Sequence, residues 1–332
     1  MEICYTRKIL NLREKGVKGK SVEIVFGPVD SRRFGRSLGV DLSPSKKQCN
    51  FDCVYCELQG AKTMERMEEI VSVDSILQAV QAALKTQKCD VLTLTANGEP
   101  TLYPHLYELI SKLKEIALDS IKLLILTNGS LLWKKEVQDS LMLVDIVKFS
   151  CDSLESGAFK RVDRPHRSLN LSQIKQGISE FCQRFNGDIV SEVLFVKGIN
   201  DTMEQAREIA EFLSTLKGLK RVDIGSIDRP PAYKVEAVSD EKLEELASCF
   251  YAYPHLTVSL PKRTQAKERG NLALQTYDTD GLIGLIKRRP LSTLDAQKML
   301  DSKTLALLDK LCQKNIIKQC SVGENIFYKI VE

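Results

Sequence analysis

From residue 37 to residue 260 the chain alternates short β-branched runs with amphipathic stretches of helical spacing. The strand candidates are SLGVDL (37–42), DVLTLT (90–95), IKLLILT (121–127), DIVKFS (145–150), DIVSEVLFV (188–196) and RVDIGSI (221–227). Helix candidates lie near 74–86, 104–117, 131–140, 172–185 and 203–216, with a sixth near 239–251. In the first of these, Ile76, Leu77, Val80, Ala83 and Leu84 recur on one helical face. Such alternation implies parallel strands joined by crossover helices. Six units over about 220 residues fit an α/β fold, an open, partial (β/α)6 barrel. A doubly wound sheet has the same periodicity and stays open as the alternative.

Polar, glycine-containing motifs cluster where these strands end. After the first comes CNFDCVYC, with Cys49, Cys53 and Cys56 in the spacing Cys-x3-Cys-x2-Cys. After the second comes Asn97-Gly98-Glu99-Pro100-Thr101, and after the third Asn128-Gly129-Ser130. The fourth closes with Lys148, Ser150 and Asp152, which period two puts on one side. Lys197-Gly198-Ile199-Asn200-Asp201 follows the fifth, and Asp228-Arg229-Pro230-Pro231 the sixth. Ligands of parallel α/β folds bind at the carboxyl ends of the strands. Each motif alone is ordinary turn chemistry, but together they define one rim.

Three thiolates on one short loop can hold one compact metal centre. Structural iron–sulfur and zinc sites take four protein ligands, so three leave a position open, the mark of a metal that does chemistry. Cys89 precedes the second strand and so lies at the far end, and alternation turns Cys151 away from Ser150 and Asp152. His105 and His166 are nearer in topology and stay open as fourth ligands.

The cysteine spacing, with Tyr55 before its last member, resembles the signature of the radical S-adenosylmethionine (radical SAM) superfamily. The resemblance covers about residues 24–260 and implies a [4Fe–4S] cluster on Cys49, Cys53 and Cys56. Its open iron would bind the amino and carboxylate groups of S-adenosyl-L-methionine. Asn97-Gly98-Glu99 falls where the family carries Gly-Gly-Glu. The cofactor-binding residues implied are Gly98, Glu99, Asn128, Ser150, Asp152 and Gly198. The activity implied is reductive cleavage of S-adenosylmethionine to a 5′-deoxyadenosyl radical that abstracts hydrogen from an unidentified substrate. An electron donor of flavodoxin or ferredoxin type would be a partner.

A narrower likeness lies in GPVDSRRFGRSLGVDL (27–42), NGEPT (97–101), KRVDRP (160–165), FVKGIND (195–201) and IDRPPA (227–232). These resemble the branch containing the wyosine-type tRNA synthases and bacterial relatives called Fe–S oxidoreductases. Wyosine synthases carry extra N-terminal cysteines for a second cluster, whereas here only Cys4 precedes the loop. The cofactor machinery transfers, and the substrate does not.

Net charge is +4, and both ends are basic: six Lys/Arg against two Glu over residues 1–20, and thirteen Lys/Arg against eight Asp/Glu over residues 262–332. That suits a polyanion such as tRNA, or ordinary solvated surface; another protein is an equal candidate partner. No run of 18 apolar residues and no export signal is present, and the ten cysteines form no small disulfide framework, so a cytoplasmic protein is expected.

The domain reading is a basic extension over 1–23, the barrel over 24–261, a linker over 262–277 and a small unit over 278–332. Helix candidates at 281–288, 293–300 and 302–314, followed by a hairpin, resemble a winged-helix domain. Its expected core is Leu285, Leu294, Leu300, Leu307, Leu308, Leu311, Ile316 and Ile326. A chain ending near Gly270 is expected to keep cluster and cofactor binding. The rival class is a non-catalytic, metal-stabilised nucleic-acid-binding protein with zinc on the cysteines and a histidine, which leaves the rim motifs unexplained. A third reading is an electron-transfer protein with a four-ligand cluster. Arg32, Arg33, Arg36, Arg161 and Arg164 suit either surface pairing or an anionic substrate.

Overall fold

The computed structural model describes residues 14–15, 21–22, 24–31, 33–116, 120–260, 274–323 and 325–331. Cys4, Arg32, most of the expected N-terminal extension and residues 261–273 lie outside the described residues. A short antiparallel pair, β1 (Glu14–Lys15) and β2 (Ser21–Val22), precedes the main sheet.

The main sheet contains β3 (Val25–Ser31), β4 (Gly35–Asp41), β5 (Val91–Thr95), β6 (Lys122–Thr127), β7 (Ile146–Ser150), β8 (Asp188–Phe195), β9 (Leu219–Ser226) and β10 (Thr257–Ser259). Their order across the sheet is the order along the chain, from β3 at one edge to β10 at the other. Strands β4 to β10 are parallel, and β3 is antiparallel to β4. A doubly wound sheet reverses strand order at its switch point. This one never reverses, so the open, partial barrel is the architecture.

Helices α1 (Val73–Leu84), α2 (Leu106–Ile116), α3 (Lys135–Leu141), α4 (Ser156–Val162), α5 (Leu171–Arg184), α6 (Met203–Ser214) and α7 (Asp240–Tyr251) fill the connections. Period-two alternation sends Leu38 and Val40, Leu92 and Leu94, Leu123 and Ile125, and Val147 and Phe149 outward from the sheet. There they join Ile76 and Val80 of α1, Ile110 and Leu113 of α2 and Phe250 of α7 in one buried core. Caps fix where helices begin: Ser72 accepts from the amide of Ser75, and Thr202 with Gln205 forms a capping box on α6. The six expected strands are present, and β3, α4 and β10 add to them. Gly27 and Pro28 make β3 read as a turn, while α4 and β10 span seven and three residues, too few to show a period.

The C-terminal unit holds α8 (Thr279–Arg288), β11 (Leu291–Ser292), α9 (Thr293–Met299), α10 (Ser302–Gln313), β12 (Ile317–Val322) and β13 (Asn325–Ile330). Its antiparallel sheet runs β11-β13-β12. Asp301 caps α10 by accepting from the amide of Thr304. Leu285, Leu300, Leu308 and Leu311 are buried, as expected, together with Leu282, Ile286, Leu291 and Ile317. The expected core needs correction at three positions: Leu294, Ile316 and Ile326 are 52%, 37% and 43% exposed. Phe327 faces inward on β13, so alternation turns Ile326 out, and Ile317 rather than Ile316 enters the core.

Candidate cofactor and metal site

The cysteine loop leaves β4 at Asp41 and has no helix or strand of its own until α1. It is held by backbone bonds to distant rim segments. The Gln48 amide donates to Asn97 O (2.7 Å), and the Glu99 amide donates back to Gln48 O (3.0 Å). The Val54 amide donates to Val162 O (2.9 Å), His166 N to Asn50 O (2.7 Å) and Ala232 N to Cys56 O (2.8 Å). The Gln48 side chain is wholly buried. Its amide nitrogen donates to Ser43 Oγ (2.7 Å) and Glu69 O (2.8 Å), and its oxygen accepts from Glu68 N (2.8 Å) and Glu69 N (3.0 Å). Both ends of the loop are thereby tied to one side chain.

Cys49, Cys53 and Cys56 line one cavity of about 220 Å³, together with Gly98, Glu99, Asn128 and Ser150. Cys89, Cys151, His105 and His166 are not among its lining residues. Burial pushes the Cys49 thiol up to about 12, with Glu99 and Cys56 adding to the effect. Burial likewise raises Cys53, beside Asp163 (Sγ to Oδ1, 3.6 Å), and Cys56. Buried thiols beside carboxylates are costly to ionise unless cationic charge arrives with them. A metal centre supplies that charge and takes the protons off. Three cysteine thiols line one cavity wall, which supplies sulfur donors and, among the described residues, no histidine. This donor set fits a multinuclear iron–sulfur centre. Lys47 adds a cation to the loop, 2.9 Å from Asp52 Oδ1. Burial works against its charge, but Cys56 and Asp52 outweigh it and raise its pKa.

Glu99 is buried at the cavity wall. Its Oε1 accepts from Thr101 N (3.0 Å), Thr101 Oγ1 (2.6 Å) and Thr127 Oγ1 (2.6 Å), and its Oε2 accepts from Asn128 N (2.7 Å). Burial raises its pKa, and these donors oppose the shift. Asn128 belongs to a closed ring. Its Nδ2 donates to Asn50 Oδ1 (2.8 Å), Asn50 Nδ2 donates to Ser130 Oγ (2.7 Å), and Ser130 Oγ donates to Asn128 Oδ1 (2.6 Å).

The other two expected residues sit elsewhere. Period two holds for Lys148 and Ser150, which both line the cavity, but β7 ends at Ser150. Asp152 is not among the cavity's lining residues; it accepts from Tyr55 Oη, which is one, and from the amide of Leu194 (2.7 Å). Burial pushes its carboxyl up to about 7 against the pull of these two donors. Gly198 lies at an exposed turn where its amide donates to Asp201 Oδ1 (2.9 Å).

Around the site, Lys148, Arg33, Arg161 and Arg164, all named from sequence, meet partners that were not: Glu192, Asp223 and Tyr233. Lys148 Nζ, at the cavity, lies 2.6 Å from Glu192 Oε1 and 3.4 Å from Asp223 Oδ2. Arg33 joins the same cluster through Asp223 (3.2 Å) and Glu192 (3.4 Å). Arg164 lies over the Tyr233 ring at 4.3 Å, and Arg161 Nη2 donates to Ile199 O (3.4 Å). Strand alternation made Glu192 and Asp223 findable as inward acids. Nothing local marked Gln48 or Asn50.

A family model described as the Radical SAM superfamily matches residues 45–213. A UPF0026 protein of Helicobacter pylori is 49% identical over 309 residues, covering 92% of this chain and 97% of the relative. A UPF0026 protein of Methanocaldococcus jannaschii is 28% identical over 313 residues, 92% of this chain and 95% of that one. The crystal structure of Streptococcus suis SuiB bound to S-adenosylmethionine matches 65% of this chain and 49% of that one, at TM-score 0.51 and 16% identity, a likeness of fold.

Proposed function

The chain belongs to the radical SAM superfamily and to the UPF0026 proteins, and from that premise we propose that Cys49, Cys53 and Cys56 hold a [4Fe–4S] cluster with S-adenosylmethionine beside it. The observation that carries the reading is the single cavity shared by the three thiols with Gly98, Glu99, Asn128 and Ser150. When bound and reduced, the cluster supplies the electron that splits S-adenosylmethionine to methionine and a 5′-deoxyadenosyl radical.

The chain's own residues bind, orient and shield. Among the described residues Glu99 Oε2 accepts one protein hydrogen bond, from Asn128 N, and has capacity for a ligand ammonium. The Asn50–Ser130–Asn128 ring holds the Asn128 amide at the cavity. Ser150 offers a hydroxyl to a ribose or carboxylate. Asp152 acts one layer back by fixing Tyr55, which lines the cavity. We place the adenine at the rim turn of Gly198, whose amide donates to Asp201. Lys148 and Glu192 extend the cavity wall inward and would face the substrate.

We further propose that the barrel spans 24–261 and that a winged-helix-like unit spans 278–332. We place the protein in the cytoplasm, served by a flavodoxin- or ferredoxin-type donor; no described helix is long and apolar enough to cross a membrane. For the substrate we favour tRNA, from the basic ends, the branch resemblance and the exposed Lys303 and Lys310 of α10 with Lys314 at its C-cap.

Anaerobic iron and sulfide reconstitution tests the metal assignment. Iron loading with a broad visible band, both lost in the Cys49/Cys53/Cys56 triple alanine variant, is the expected result. Full iron retention in that variant sinks it, and colourless zinc loading would favour the metal-stabilised binding protein.

A further inference from the structure

Asp41, the last residue of β4, is 1% exposed and stands under two rim loops at once. Its Oδ1 accepts from Ser43 N (2.9 Å), where the cysteine loop begins, and from Asn97 N (2.9 Å), where the Asn97-Gly98-Glu99 turn begins. Both contacts lead straight to the site. Ser43 Oγ receives the Gln48 side-chain amide, and Asn97 O receives the Gln48 backbone amide, one residue before Cys49.

The second oxygen of Asp41 faces the C-terminal unit. Arg288, the last residue of α8, brings its Nε to 3.3 Å from Asp41 Oδ2, with 9% of its side chain exposed. Among the described residues it is the cation within ion-pair distance of Asp41. Burial raises the Asp41 pKa and Arg288 draws it back down.

The unit reaches the cysteine loop by a second, independent route. Lys329 Nζ of β13 donates to Pro231 O (3.1 Å), and the neighbouring Ala232 amide donates to Cys56 O (2.8 Å). Val322 of β12 packs on the apolar cluster that contains Val54 and Tyr55.

We propose that the C-terminal unit is a working part of the cofactor site: Arg288 is a positioning residue that, through Asp41, holds the cysteine loop and the Glu99 turn in the arrangement that receives S-adenosylmethionine. The inference rests on the function proposed above. A carboxylate accepts stronger hydrogen bonds from N–H groups than a neutral acid does. Removing one partner of a buried ion pair leaves the other charge uncompensated, so Asp41 without Arg288 must either stay charged at high cost or take a proton. Either outcome loosens both loops. A barrel that needs its C-terminal unit in this way contrasts with the sequence expectation for a chain ending near Gly270.

The test uses the full chain, reconstituted anaerobically, with iron content, melting temperature and equilibrium dialysis of radiolabelled S-adenosylmethionine measured together. Arg288→Met should bind S-adenosylmethionine about tenfold more weakly or worse, on the scale of outer-layer ligand supports. Arg288→Lys, which keeps the charge, should fall between wild type and the methionine variant. The double variant Asp41→Asn/Arg288→Met keeps an acceptor for Ser43 and Asn97 without a buried charge, and should return to within about threefold of wild type. A lowered melting temperature with wild-type affinity in Arg288→Met would make the contact mere packing and overturn the inference. Should that variant not fold, the double variant decides: folded and iron-loaded but still about tenfold weak, it overturns the route through Asp41. Wild-type protein that binds neither iron nor S-adenosylmethionine overturns the proposed function as well.

Discussion

At Gly98 a Cβ would stand 1.9 Å from the carbonyl oxygen of Gln48, and φ is +137°. The absent side chain lets the cysteine loop dock on the Glu99 turn. Gly98→Ala should therefore cut iron loading severely. Gly198→Ala is the control: φ is +73° but nothing lies within 4 Å of the added Cβ. It should cost only about 1 kcal/mol of backbone strain and leave iron loading unchanged. Gln48→Ala leaves backbone groups of Glu68 and Glu69 and the Ser43 hydroxyl short of partners, so it should destabilise the fold by about 2–4 kcal/mol in denaturant unfolding. The cysteines were legible because their spacing is local, and Gly98 and Glu99 entered through their place at a strand end and the family resemblance. Gln48 and Asn50 were not, because their partners lie about 20 and 80 residues along the chain.

Among the elements, the six central strands and their helices were legible because each buries one face and so carries a period. The end of a strand is less legible. Period two placed Asp152 with Ser150, but alternation binds a side chain only while the ladder continues, and β7 stops at Ser150. Edge elements failed for a related reason: β10 pairs through Thr257, Val258 and Ser259, too short a run to display alternation. The C-terminal unit shows both outcomes. Leu308 is 1% exposed and Leu294 is 52% exposed, although both are apolar residues in helices. Leu308→Ala should cost about 2–5 kcal/mol, while Leu294→Ser should stay within about 0.5 kcal/mol, each read from denaturant midpoints. In the barrel, Ile76→Ala should show the same core-sized loss as Leu308→Ala, since Ile76 is wholly buried on the inner face of α1.

Across the whole molecule, the open sheet sets six strand ends on one rim, and the cysteine loop is stitched to segments near residues 97, 163 and 232. The site is thus a property of the assembled rim and of the C-terminal unit that braces it through Arg288 and Lys329. A chain ending at residue 260 should load less iron than the full chain and bind S-adenosylmethionine at least as weakly as Arg288→Met. The substrate was not legible, since the cavity wall offers Lys148 and Glu192 as a salt-bridged pair, which suits many polar groups. Radical chemistry belongs to the cofactor, and the barrel's part is to hold, orient and exclude solvent. The most direct measurement is anaerobic incubation of the reconstituted full chain with dithionite and S-adenosylmethionine, followed by chromatography of the products. Uncoupled release of 5′-deoxyadenosine and methionine is expected without any substrate, with its loss in Cys53→Ala. A fully loaded, reducible cluster that releases no 5′-deoxyadenosine, with or without cell extract as a source of substrate, would contradict the proposed function.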